Sequence, residues 1–323
     1  MPLADRDGDA MPVISDFAPL PPALQSGVVA IGNFDGVHKG HQALLSAARS
    51  KAKELGGPAG VLVFEPHPRA FFRPDDPFFE LTPLPVKVRL LEAEGMEFVA
   101  VLKFDGSLAS LPPEKFIDDV IVTWLRARHV VIGYDFFFGK ARAGDPTLMQ
   151  RVGEAEGFGV TVISPVAEAG EVFSSSAIRS KIAIGDVIAA GHDLGRWWTV
   201  SGTVVGGFQR GTALGFPTAN VRMSKGTTLA HGIYAVRVTV RGVSYDGAAY
   251  LGTRPTFDNG QPVLEVFLLD FTGDLYGSEI EIEFISHIRG DRRFDTPEAL
   301  IMQMTEDCAI AKVALEAAGQ RPE

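Results

Sequence analysis

The fold is decided by "VVAIGNFDGVHKGHQALLSAA", residues 28–48. It opens on an apolar run of the kind that forms a strand buried on both faces, and it closes on apolar residues at helical spacing. Between them stand Gly32, Phe34, Asp35, Gly36 and two histidines three apart, His38 and His41. The strand is expected to end at about Gly32 and the helix to begin near His41. Open α/β sheets bind ligands at that carboxyl end of a strand. Glycines let the backbone approach a phosphate, and a helix N-terminus adds partial positive charge. Histidines placed there can donate hydrogen bonds to a nucleotide and gain charge in a phosphoryl transition state. A turn cap and a plain helix start are the simpler reading of one such histidine; the whole cluster at one junction favours function. No third ligand stands at metalloprotease spacing, and neither a Walker A motif nor G-x-G-x-x-G is present.

Outward from this stretch the same alternation repeats. "AGVLVFEPHP", "MEFVAVLKFD", "RHVVIGYDFFFG" and "FGVTVISPV" read as strands, separated by helical patterns such as "PVKVRLLEAEG" and "GDPTLMQRVGEAEG". That order predicts a doubly wound parallel sheet, Rossmann-like, covered on both faces. After about residue 185 the helices stop. "WWTVSGTVVGG", "GIYAVRVTVRG", "VSYDGAAYLG", "LEVFLLDF" and "SEIEIEFISHI" read as successive strands, with Tyr234, Val236, Val238 and Val240 alternating with other residues. Five or six such strands predict a small antiparallel β-barrel. Thr296 as N-cap and Pro297 at the first helical position open a C-terminal helix. The expected fold class is therefore α/β followed by all-β, with domains at 1–185 and 186–323.

The totals exclude several classes. In 323 residues there is one cysteine and a net charge of -10. One cysteine permits no internal disulfide or cysteine zinc site and suits a reducing cytoplasm. An acidic balance argues against nucleic acid as a partner. No run approaches the about 18 apolar residues of a membrane span. The acidic opening, to about Ser26, is expected to be disordered. Assembly into a homo-oligomer is left open.

The barrel half carries a site of its own. "GGFQRGTALGFPTANV" holds Gly206, Gly207, Gly211 and Gly215 in one loop, as a phosphate-covering loop requires. Thr218 and Asn220 then offer two hard oxygen donors suited to magnesium together with ATP phosphates; a glycine-rich hairpin and an Asx turn is the plainer alternative. In "VLEVFLLDF", Glu265 is a carboxylate on an otherwise apolar strand, which is costly unless the group is paired or working. A half-desolvated glutamate suits a general base for a primary hydroxyl, whereas an edge strand would leave it merely solvated. In the first half, "SSSAIRSK" sets hydroxyls ahead of an arginine, a good anion site or simply an N-cap run.

"GNFDGVHKGHQ" resembles the HxGH signature of nucleotidylyltransferases, in the form found in bifunctional prokaryotic FAD synthetases (riboflavin kinase / FMN adenylyltransferase). "FEPHP", "GYDFFFGKARAGD" and "SSSAIR", then "LGFPTAN", "GIYAV", "LGTRPTF" and "DLYG", resemble that family's blocks in order. The resemblance implies that His38 and His41 contact ATP phosphates and stabilise the transition state, within a nucleotide-binding turn of Gly32, Phe34, Asp35 and Gly36. It implies a second phosphate loop at Ser175, Ser176 and Arg179, with Asp135 contacting nucleotide or flavin and His67 near the flavin. In the second half it implies ATP beneath Gly207, Gly211 and Gly215, Mg2+ on Thr218 and Asn220, Glu265 as the base, and Arg289 beside the flavin. Substrates and products would be riboflavin, FMN, FAD and ATP. The chain departs from the pattern at Ala177, Thr212, Tyr250 and Phe267, where the family often has arginine, arginine, asparagine and histidine. Two other readings are an adenylyltransferase whose barrel only docks flavin, against which intact "PTAN" and Glu265 count, and a flavin-sensing scaffold, against which intact His41, Thr218 and Glu265 count.

Overall fold

A computed structural model describes residues 10–76, 78–205, 218–223, 226–253, 262–319 and 322. The chain divides into two compact units, one ending at Ser175 and the other running on from Ser176. The helices Ser175–Ala183 and Val187–Leu194 fall with the second unit: the Ala230 amide donates to the Ile182 carbonyl at 3.3 Å, and Val187–Leu194 packs on the strands Trp198–Val205 and Glu279–Arg289.

In the first unit six strands, β1 (Val13–Ser15), β2 (Val28–Ile31), β3 (Ala59–Glu65), β4 (Phe98–Lys103), β5 (His129–Gly133) and β6 (Gly159–Ile163), form one parallel sheet in the order β1-β4-β3-β2-β5-β6. Val28 lies opposite both Ala59 and His129, so β2 is the centre from which the chain builds first one way and then the other. All four residues of β2 are buried, Val29 and Ile31 on one face and Val28 and Ala30 on the other. Helix α1 (Lys39–Leu55) covers the second face through Leu45, Ala48 and Ala52 and ends on Gly56 in the left-handed conformation, φ 66°. Two more helices matter for the site, the short α2 (Pro68–Phe72) and α3 (Leu84–Ala93).

The expectation of a disordered opening arm is corrected from Ala10 onward. Val13–Ser15 adds a sixth, edge strand beside β4, with Val13 opposite Val99. The Asp16 carboxylate accepts from the Lys103 amide at 2.9 Å, the Trp124 indole donates to the Ala18 carbonyl, and Leu20 is buried. A sheet edge with unmet hydrogen-bonding groups is a stronger organiser than the local composition suggests.

The second unit is a closed barrel of six antiparallel strands. They are β9 (Trp198–Val205), β10 (Thr218–Arg222), β11 (Gly232–Val240), β12 (Val243–Thr253), β13 (Pro262–Leu268) and β14 (Glu279–Arg289) in the order β10-β13-β12-β11-β14-β9; a two-stranded hairpin of β7 (Ala167–Glu168) and β8 (Glu171–Val172) precedes them. Tyr234, Val236 and Val238 point inward with Leu264, Val266, Ile282 and Phe284, all fully buried. The Asx turn considered after the glycine-rich loop is also corrected from Thr218 onward, because Thr218–Arg222 form β10, which closes the ring against β9 and β13. Helix Pro297–Ala317 lies on the outer wall, where Ala311 and Leu315 meet Trp197, Ala235 and Ala248.

Candidate active sites

The turn after β2 is held in conformations that side chains resist. Phe34 (φ 48°), Gly36 (φ 89°) and Val37 (φ 42°) are all left-handed, and for Phe34 and Val37 that costs on the order of 1–3 kcal/mol each. Both side chains are buried, which locks the turn. Asp35 is buried and its Oδ1 accepts from the Thr82 amide (3.0 Å) and hydroxyl (3.4 Å), while the Gly36 amide donates to Thr82 Oγ1 at 2.8 Å. Ser175 Oγ donates to the Asp35 carbonyl at 2.8 Å. Asp35 is thus the anchor of the turn, and Thr82 is a partner that no local pattern in the sequence announced.

The helix begins two residues earlier than expected, with His38 as its N-cap. His38 Nδ1 accepts from the His41 amide at 3.3 Å, so the ring proton sits on Nε2, the donor end. The two imidazoles stack with centroids 3.7 Å apart, and the Phe34 ring lies 5.2 Å from that of His41. Capping and function are therefore compatible: the cap fixes which nitrogen of His38 can donate. Gly40 is the second residue that sequence reasoning passed over. A Cβ there would stand 3.1 Å from two atoms of the His38 ring and 3.3 Å from the Phe173 carbonyl. Gly40→Ala is therefore expected to displace the ring while favouring the helix by about 1 kcal/mol. The activity of this site should fall by about tenfold or more with no loss of melting temperature, as a misplaced group predicts; assay of both on one preparation checks it.

The remaining candidates of this half are placed as follows. Asp135 is exposed in the turn after β5, where the Phe136 amide donates to the Gly133 carbonyl. Of the three phenylalanines beside it, Phe138 is core and Phe137 is exposed under the Arg142 guanidinium. His67 caps α2, its Nδ1 accepting from the Arg69 amide at 3.1 Å, and packs on Phe78. Ser176 and Arg179 lie three apart on helix Ser175–Ala183, which the contacts group with the second unit.

In the barrel, register does the positioning. Asn220 lies opposite Glu265, Glu265 opposite Tyr250, Tyr250 opposite Ile233, and Ile233 opposite Arg289. Residues directly opposite share a face, so one row runs across five strands on the outer wall. Leu264, Val266 and Leu268 fill the interior, and Glu265 and Phe267 stand half-buried outside. The Thr218 hydroxyl is 3.5 Å from Glu265 Oε2, and Asn220 is 8% exposed. Thr218 and Glu265 thus meet in the lining of a cleft of about 450 Å³, a size that suits a small organic ligand, with Asn220 beside Glu265 in register. Its walls include Tyr250, Phe267, Arg289, Phe294 and Met304. Arg289 makes a bidentate pair with the buried Asp307, at 2.9 and 2.7 Å, and gives a third donor to the Gly290 carbonyl. It therefore serves the cleft as a fixed wall. Cys308, also in the lining, is held as a thiol, its pKa pushed up to about 11 by burial and by Asp307. Gly207, Gly211 and Gly215 lie outside the described residues.

Comparison with known proteins agrees with this division. Residues 20–177 match the FAD synthetase family model and residues 194–315 the riboflavin kinase model. A bifunctional riboflavin kinase/FMN adenylyltransferase of Pseudomonas fluorescens is 38% identical over 94% of this chain and 97% of its own length. The protein of the same description from Escherichia coli K12 is 38% identical over 92% and 96%, and that of Bacillus subtilis 38% identical over 87% and 90%. A solved Streptococcus pneumoniae structure, described as a macrolide-efflux protein, superposes with a TM-score of 0.84 at 30% identity, covering 93% of this chain and 98% of that one. Among the described residues no helix is long and apolar enough to cross a membrane. Two sites on two folds, matched in the same order along relatives of nearly equal length, establish that the chain belongs to the bifunctional riboflavin kinase/FMN adenylyltransferase family.

Proposed function

We propose that residues 186–323 transfer the γ-phosphate of ATP to riboflavin, and that residues 1–185 transfer AMP from a second ATP to the FMN so formed, releasing pyrophosphate. The observation that carries this reading is the register that puts Thr218 and Asn220 on one face beside Glu265, with Thr218 and Glu265 lining the barrel cleft, alongside the separate histidine pair after β2. In the barrel, Glu265 takes the proton of the ribityl 5'-hydroxyl as its oxygen attacks the γ-phosphorus and ADP leaves. The hydroxyl of Thr218 and the amide oxygen of Asn220 are hard donors beside a carboxylate, a set that fits magnesium. That ion, when bound, would neutralise charge on the ATP phosphates. In the α/β unit, a phosphate oxygen of FMN attacks the α-phosphorus and pyrophosphate leaves. His38 and His41 donate to the oxygens that gain charge, beside Ser175, whose hydroxyl donates to the Asp35 carbonyl. A cytoplasmic setting suits both the ATP demand and the single cysteine.

The test is a chromatographic time course of the purified chain with riboflavin, ATP and magnesium. FMN should rise first and then convert to FAD. FMN that accumulates unconverted would leave only the kinase standing; FAD from supplied FMN, with none from riboflavin, would leave only the adenylyltransferase.

A further inference from the structure

The outer wall of the barrel holds a close approach that the phosphoryl transfer itself does not call for. Gly252 lies two residues beyond Tyr250 on β12, on the same face and about 6.6 Å along the strand. A Cβ at Gly252 would run into the Tyr250 hydroxyl and Cζ and would stand 2.9 Å from Cε1. Those atoms form the far end of the side chain, so the tyrosine lies down along its own strand with its tip on bare backbone. Gly252 is buried and Tyr250 half-buried, as one covering the other requires. Glycine inside a strand gives up packing and costs entropy, and it stands where another group comes close.

The direction of the lean follows from the register. Thr218, Phe267 and Ala248 form one row across β10, β13 and β12. Asn220, Glu265 and Tyr250 form the next, and Arg222, Val263 and Gly252 the one beyond. Glu265 sends its carboxylate toward the first row, to 3.5 Å from the Thr218 hydroxyl. Tyr250, directly opposite Glu265, sends its ring toward the third. The two neighbours diverge, and the small side chain of Ala248 is left as the cleft's floor beside Phe267. A phenol leaning the other way would lie over Ala248 and against the carboxylate, in the space a ligand needs. We infer that Gly252 is a positioning residue for the kinase: by carrying no side chain it lets Tyr250 lie back, which keeps the ring off the cleft floor and clear of Glu265. This rests on Glu265 being the base for riboflavin phosphorylation.

The experiment is a double-mutant cycle in the full-length chain on Gly252→Ala, Tyr250→Ala and the two together. It is read by FMN formation from riboflavin, by fluorescence titration with riboflavin and by FAD formation from supplied FMN. In Gly252→Ala the new methyl group lifts the ring toward the floor. The kcat/KM for riboflavin is expected to fall on the order of 10- to 100-fold, the scale of a group misplaced by about 1 Å. The titration should weaken with it, while FAD formation stays at the wild-type rate. In the Tyr250→Ala background the methyl group meets no ring, so the double variant should match Tyr250→Ala within about twofold. A glycine needed only for the strand would not give that convergence. Unchanged kinetics in Gly252→Ala overturn the inference, and so does a loss of the same size in both backgrounds. A Tyr250→Ala variant that no longer binds riboflavin also overturns it, since the ring would then matter as a contact. If Gly252→Ala does not fold, the double variant decides: it should fold and turn over like Tyr250→Ala, and failure of both refutes the idea. Glu265→Gln in the same assay keeps the two readings apart. Full turnover there sinks the base assignment, while the cycle in the titration still reports whether the ring enters the cleft.

Discussion

Glu265→Gln is expected to abolish FMN formation from riboflavin while FAD formation from supplied FMN continues at the wild-type rate. The substitution keeps the size of the side chain and its place opposite Asn220 and Tyr250, so the barrel wall has no reason to move. What it removes is a proton acceptor 3.5 Å from the Thr218 hydroxyl, in the lining of the cleft. General bases of this kind contribute about 10²–10⁴ in rate, and a loss of that size in kcat with riboflavin still bound is the expected signature. Fluorescence titration with riboflavin gives the second half of the check. A variant that turns over within threefold of wild type would leave Glu265 as a wall residue and the base unassigned.

The converse experiment is His41→Ala. FAD formation from FMN should drop by about 10²–10³, the scale for losing one donor aimed at developing charge, while riboflavin phosphorylation is untouched. His41 also stacks on His38 and supplies the amide that His38 Nδ1 accepts. The amide survives in the alanine variant, so the cap and the Nε2 proton of His38 survive with it. The stacking does not, and some of the loss will come through a freer His38 ring. His41→Asn, which keeps a donor of similar reach, separates the two contributions by recovering part of the rate. Equal loss of both activities would refute two independent sites.

How much of this was written locally can be judged residue by residue. The histidine turn was legible because its parts are neighbours in sequence: a buried strand, glycines and a helix start within fourteen residues, 28–41. Glu265 was legible because a carboxylate breaks an apolar strand. β1 was not, since three residues flanked by acidic sequence become a strand only when β4 offers an edge. The strand at Thr218–Arg222 was not expected, because its residues have turn composition and become extended through their pairing with β9 and β13. Thr82 acts on Asp35 from another segment, and Gly40 is decided by the Phe173 carbonyl 133 residues away. Arg289 lies in the cleft lining, and its bidentate engagement with Asp307 follows from where the closing helix lands.

The row from Asn220 to Arg289 gives the kinase half something like a reading frame. One residue added inside Pro262–Leu268 would turn Glu265 into the barrel and Leu264 out of it, so that the reaction and the core fail together. Two added residues would restore the face yet carry the carboxylate roughly 6.6 Å along its strand, away from Thr218. A closed ring has no free edge at which such an error could be absorbed. Length variation in this half therefore belongs in the connections between strands, and the strands themselves can change their letters but not their count.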